Sequence, residues 1–290
     1  MLGYKSVSRP QTGLVLLAAV AACSPRTLAL VELLSDAGLA PTSIDANLPD
    51  AFDDTLDDAS DDANPSTLRR GLVGLWHLDD GVGSTVALDS SGNGNDGKLV
   101  GLDPALAWVP GRQGGALDTS GAGYVFVQDS ASIDGITAQV TVSAWIYFDG
   151  VISVADGYGT ALSRQMGTTL GQYYHLSLYK DASPTLFIAL TEGVPESHAQ
   201  DPKPIASRRW IHLAGTYDGS RATLYVNGAE VDSSPVSGGF SADTTPVILG
   251  GNGNAAEITE RFPGSIDEIA LYNRALSPDE IRMLATAAAF

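Results

Sequence analysis

The sequence predicts an all-β fold, with many antiparallel strands packed as a sandwich, and three observations carry that reading. The chain of 290 residues holds 32 Gly against 16 Lys plus Arg, is rich in Thr, Ser and Val, and has turn signals at short intervals. The segment Gln139–Phe148 alternates as a strand does: Val140, Val142, Ala144, Ile146 and Phe148 form one apolar parity set, and Thr141, Ser143, Trp145 and Tyr147 the other. Asn227-Gly228 lies between two β-patterned runs, and both residue types tolerate the positive φ of a type I′ hairpin turn.

Taken in order, the first strand is expected at Gly71–Leu78, stopped by Asp79-Asp80-Gly81, with a turn-rich stretch over Ser90–Gly97. Val125–Val127 is a short apolar strand, and Gln139–Phe148 is the strongest in the chain. Further strands are expected at Thr160–Ser163, Tyr173–Tyr179, Thr185–Leu190 and Trp210–Tyr217. Ala222–Val226 and Ala229–Asp232 form the hairpin around Asn227-Gly228, and Val247–Leu249 and Ser265–Tyr272 complete the set. In the globular part helix is expected only at Ser277–Arg282, where Ser277 is an N-cap, Pro278 the first helical residue and Glu280 the third, and a short helix is a reading of Thr27–Leu34 before it.

The N-terminal part is different material. A basic head with Lys5 and Arg9 precedes an apolar stretch, Gly13–Ala22, too short to span a bilayer but suited to a signal-peptide core. The chain's single cysteine, Cys23, closes that stretch, and Val20-Ala21-Ala22-Cys23 resembles the bacterial lipobox. The resemblance implies a signal peptide at residues 1–22, a lipidated Cys23 as mature N-terminus, and residence in the cell envelope, at the outer membrane or cell surface. An ordinary cleaved signal with an incidental cysteine is the alternative. Residues 23–70 read as an acidic tether: Ile44–Pro65 carries Asp45, Asp50, Asp53, Asp54, Asp57, Asp58, Asp61 and Asp62, and no Lys or Arg. The globular domain is expected over residues 71–290. A net charge of −18 argues against nucleic acid, which needs clustered cations, and against electrostatic adhesion to anionic lipid, so the membrane is a partner through the anchor only.

Three stretches carry a second resemblance. They are Gly71-Leu72-Val73-Gly74-Leu75-Trp76-His77-Leu78-Asp79-Asp80 with Asp89–Gly97; Val140–Ile146; and Trp210–Asp218 with Leu224–Gly228 and Gly264–Ile281. In this order they resemble the LamG-like jelly-roll domain of the concanavalin A-like lectin/glucanase class. The resemblance implies a two-sheet antiparallel jelly roll, in a family whose members bind carbohydrates or protein partners on bacterial and extracellular surfaces.

For metal, Asp89, Ser91 and Asn93 alternate before Gly94, like the first half of a calcium loop, and the resemblance adds Asp79 and Asp267, where first and last strands meet. Structural calcium at Asp79, Asp89, Asn93 and Asp267 is one expectation; a turn held by Asx hydrogen bonds, needing no ion, is the other. For sugar, exposed aromatics and amides on loops are required, and Tyr158, Tyr173, Tyr174, Asn252 and Asn254 are the candidates. Ordinary sandwich packing of the tyrosines is the competing reading.

Catalysis is not expected. Glycosidases of this fold carry paired carboxylates on one strand face, whereas Asp267 and Glu268 are expected on opposite faces. The four histidines lack metal spacing, and no Gly-x-Ser-x-Gly elbow occurs. The expected function is a non-catalytic, surface-anchored module that binds a glycan or an extracellular protein. Its rivals are a structural or adhesive display module and a polysaccharide hydrolase or lyase.

Overall fold

The computed structural model describes residues 65–121, 123–152, 157–166, 172–190, 197–241, 244–254 and 257–286. The signal segment, Cys23 and all but the last residues of the acidic tether lie outside the described residues.

The strands, in chain order, are β1 (Leu72–Trp76), β2 (Val86–Ala87), β3 (Gly97–Val100), β4 (Trp108–Pro110), β5 (Gly115–Asp118) and β6 (Tyr124–Val127). They continue with β7 (Val140–Phe148), β8 (Tyr158–Met166), β9 (Gln172–Tyr179), β10 (Pro184–Ala189), β11 (Ser197–Gln200) and β12 (Trp210–Tyr217). The last are β13 (Arg221–Val226), β14 (Ala229–Pro235), β15 (Val247–Leu249), β16 (Asn252–Asn254), β17 (Glu257–Thr259) and β18 (Gly264–Tyr272). One helical turn, α1 (Ala131–Asp134), and a C-terminal helix, α2 (Pro278–Thr286), are the α-helices among the described residues.

Two antiparallel sheets result. The first runs β14-β13-β12-β7-β18-β5-β4, with β1 also on β18; the second runs β11-β10-β9-β8-β15-β6-β3-β2. The expected all-β sandwich is therefore present. The β7 parity set of Val140, Val142, Ala144, Ile146 and Phe148 lies in the core between the sheets, with Leu176, Leu178, Leu186 and Ile188 of the second sheet. The sheets approach closely at Gly215, where an added Cβ would stand 2.4 Å from Leu186 Cδ1. At the β13–β14 turn Asn227 and Gly228 have φ of 50° and 79°, the two positive values that a type I′ turn requires.

The other β7 set is covered as well. On the outer face of the first sheet a second apolar cluster joins Leu75, Ala214, Tyr225 and Tyr272 to Leu276, Ile281 and Leu284 of the C-terminal segment. Leu68, in a 3₁₀ turn at Pro65–Arg69, is fully buried in this cluster, so packed structure extends N-terminal to Gly71. Arg274 ties these parts together: its guanidinium makes two 2.7 Å bonds to Glu280 and also donates to the Thr67 and Arg70 carbonyls. The expected capping box of α2 forms, with Glu280 N–H donating to Ser277 Oγ and Ser277 N–H to Glu280 Oε2. No helix among the described residues is long and apolar enough to cross a membrane.

Candidate functional site

Two of the four proposed metal residues meet at one hairpin. β18 pairs with β5 at Ser265–Ile266 and with β1 at Ile269–Tyr272, so its partner on that side changes within the strand. The register slips there, between Asp267 and Ala270, and Glu268 adopts a φ of 46°. Strand alternation therefore breaks at Glu268, contrary to the regular parity expected. Asp267 is fully buried at the junction, where its Oδ2 accepts the backbone N–H groups of Arg112 and Gln113 and its Oδ1 that of Glu268. Asp79 accepts the Gly115 N–H from the same β4–β5 hairpin. Burial raises the Asp267 carboxyl to about 7 against the pull of these donors. Beside it, His77 Nδ1 lies 2.9 Å from Glu268 Oε2, and that bond holds its pKa above the usual histidine range.

Asp89 and Asn93 lie in a separate turn. The Asp89 carboxylate accepts N–H groups of Leu75, Ser91 and Asn95 and the Ser91 hydroxyl, at 2.8–3.0 Å. Asn93 presents its amide N–H₂ to the carbonyls of Leu72 and Val73. An oxygen crowded by N–H donors and an amide turned nitrogen-first do not fit a calcium ligand set. This is the Asx-type turn, stitched onto β1. Asn95, which the sequence reading passed over, is buried in the same stitch: its side chain donates to the Val73 carbonyl, and its carbonyl accepts Trp76 Nε1. Among the described residues no three His, Cys, Asp or Glu side chains converge as a metal site would need.

The sugar candidates separate by strand parity. Tyr174 is fully buried, edge-on to Phe240 at 5.5 Å, and burial pushes its phenol pKa up. It is a core residue, and the expectation that it binds ligand is corrected, because neighbours on one strand point to opposite sheet faces. Tyr173 faces outward and, with Tyr158 and Asn252, lines a cavity of about 230 Å³ on the outer face of the second sheet. The remaining walls are Gln165, His175, Phe187 and Glu260. Asn254 ends β16, its side chain outside the described residues.

The cavity forms because the stretch of Asn252 and Asn254, read from sequence as a loop, is strand β16 and folds with β17 as a hairpin over β8. Gly253 makes this possible: at φ 138° its Cα lies so close to β17 that a Cβ would fall 2.1 Å from the Glu257 carbonyl oxygen. Backbone bonds from Gly250 to Ala161 and from Thr160 to Glu260, and the Ser163 hydroxyl on the Gly251 carbonyl, fasten the hairpin down. Glu260 itself is held at φ 48°, a strained conformation for a residue with a side chain.

The cavity walls are aromatic. The Phe187 and His175 rings stack at 4.3 Å and 10°, Tyr158 meets Phe187 edge-on at 5.2 Å, and Tyr173 tilts against His175 at 5.5 Å. Phe187 and His175 are buried, whereas Tyr158 and Tyr173 keep part of their surface open. Beneath the rings a polar chain runs from His175 Nδ1 to Ser177 Oγ (2.6 Å), Thr160 Oγ1 (2.8 Å), Glu260 Oε2 (3.2 Å) and Asn252 Nδ2 (2.9 Å). Asn252 Oδ1 is buried with no hydrogen-bond partner. Burial lowers the pKa of His175 to about 3, so the ring is neutral at physiological pH.

The Laminin_G_3 family model, described as the concanavalin A-like lectin/glucanases superfamily, matches residues 119–282. The chain belongs to the concanavalin A-like lectin/glucanases superfamily. Solved folds agree with that membership. Domain 4 of AbnA, a GH43 extracellular arabinanase from Geobacillus stearothermophilus solved with arabinotriose, is 22% identical with a TM-score of 0.56, covering 74% of this chain and 98% of that one. The binding domain of Paraclostridial Mosquitocidal Protein 1 is 23% identical with a TM-score of 0.56, covering 75% of this chain and 52% of that one. The binding domain of botulinum neurotoxin DC, solved with SialylT, is 13% identical with a TM-score of 0.56, with the same two coverages. At these identities the similarity shows the fold of a superfamily member and no more. Among curated proteins, mouse pappalysin-1 is 38% identical over 78 residues, 25% of this chain but 5% of that protein's length.

Proposed function

We propose that this domain is a non-catalytic carbohydrate-binding module whose site is the cavity over β8 and β9. The observation that carries the reading is the pairing of two partly open tyrosines, Tyr158 and Tyr173, with the hydrogen-bonding groups of Gln165, Asn252 and Glu260 in one concavity. Aromatic faces take the apolar face of a pyranose or furanose ring, and amides and carboxylates take its hydroxyls. At about 230 Å³ the cavity is smaller than the roughly 300–1,000 Å³ of sites that enclose larger ligands, which suits one sugar ring at a chain end or branch. Glu260 is the one carboxylate among the described lining residues, and glycoside hydrolysis by two carboxylates needs a pair. Membership of a lectin and glucanase superfamily supports the reading, as do neighbours solved with arabinotriose and with SialylT.

The reading includes export and anchoring through Cys23, which would display the module on its acidic tether at the cell envelope. It is tested by screening the full chain on a glycan array and assaying the same preparation for released reducing ends and unsaturated sugars. Binding without release, lost in Tyr173→Ala, is expected. A folded protein that binds nothing, or one that cleaves what it binds, overturns it.

A further inference from the structure

The lining of the cavity carries a selectivity that goes beyond binding sugar, and it rests on the binding-module reading above. From the side chains that wall the cavity we infer that it accepts an uncharged sugar residue and rejects sialic acids and uronates. Its charged group among the described lining residues is an acceptor. Glu260 contributes that carboxylate, an acceptor complementary to sugar hydroxyls, which donate. A ligand carboxylate would bring a second acceptor and a second negative charge beside Glu260.

No described lining residue offsets that charge. Neither Lys nor Arg is among them. His175 is the remaining candidate cation, but its ring is buried against Phe187, its Nδ1 is engaged by Ser177, and burial keeps it neutral. Arg164, on the neighbouring strand, points into the sandwich and is bonded to Asp129 and Asp134. Arg261 follows Glu260 but does not wall the cavity, and Lys180 lies over the Tyr179 ring at 5.1 Å. Recognition of an anionic sugar ordinarily relies on charge-assisted bonds from such groups.

The test is an array on which each neutral pentose- or hexose-terminated oligosaccharide is matched with a sialic-acid- or uronate-terminated counterpart, probed with the full chain and with Tyr173→Ala and Asn252→Ala. Binding to neutral probes, at least tenfold weaker binding to their anionic counterparts, and loss in both variants are expected. Equal or tighter binding to anionic probes that is lost in Tyr173→Ala overturns the selectivity and leaves the binding module standing. Neutral binding that survives both substitutions places recognition elsewhere and overturns the selectivity inferred for this cavity. Absence of binding to either set overturns both readings. Circular dichroism and thermal unfolding of each variant separate lost binding from lost fold.

Discussion

The Asp267 carboxylate accepts the backbone N–H of Arg112 at 2.7 Å, across 155 residues of sequence. That bond fastens the β4–β5 hairpin into the gap where β18 changes partner, and the Arg112 guanidinium lies over the Trp145 ring at 4.7 Å from the same turn. Asp267→Asn keeps the shape but sets an amide N–H₂ where only acceptors fit. A loss of about 1–3 kcal/mol in urea unfolding is expected. An unchanged midpoint would mean that the hairpin does not depend on this carboxylate.

Stability should pass through a maximum near pH 6.5–7. Burial lowers both His175 and His212 to about 3, so the unfolded chain takes up their protons first as pH falls below the ordinary histidine value. Each then costs about 2 kcal/mol at pH 5. Asp267, raised to about 7, has the opposite sign: its contribution is greatest at low pH and declines as pH rises toward 7. His77, also raised, contributes fully below 6.5 and loses that contribution as pH rises through its folded value. The two buried histidines outweigh Asp267 on the acid side, and on the alkaline side Asp267 and His77 both weaken the fold. Urea midpoints across pH 4–9 measure the curve, and His212→Gln should flatten its acid limb.

Asp89→Ala should lower the melting temperature by the same amount in calcium and in chelator, because the lost contacts are four hydrogen bonds within the turn and to β1. The expected cost is about 2 kcal/mol or more. Calcium at the Asp79–Asp267 hairpin remains a separate proposal. A chelator-dependent drop in the wild type that disappears in Asp267→Asn would place an ion there.

Tyr173 and Tyr174 should respond oppositely. Tyr174→Ala empties a fully buried site and should cost about 3–5 kcal/mol. Tyr173→Ala removes a partly exposed ring from the cavity wall and should change stability little while abolishing glycan retention. The paired unfolding and binding measurements on the two variants check this directly.

Gly215→Val should destabilise by about 1–3 kcal/mol or more, since the new side chain would enter the space held by Leu186. A thermal midpoint equal to the wild type would show that the sheets can part there without penalty.

The sequence by itself determined the local structure: the β7 alternation, the Asn227-Gly228 turn, the Ser277–Glu280 capping box and the ordered motifs of the superfamily. Each depends on residues within a few positions of one another, where pleat, turn and cap chemistry act. The same local logic marked Tyr158, Tyr173 and Asn252, and strict parity along β9 would have sent Tyr174 inward and paired Tyr173 with His175. Only the tertiary structure decided the site. His175 meets Phe187 through the β9–β10 register, and Glu260 meets Thr160 through a hairpin folded onto β8. Asp79 and Asp267 share one hairpin, whereas Asp89 and Asn93 serve another turn. Such contacts join positions 100, 155 and 191 residues apart. Sheet register and layer packing select them, and both are collective properties of the assembled sandwich that no short stretch of residues encodes.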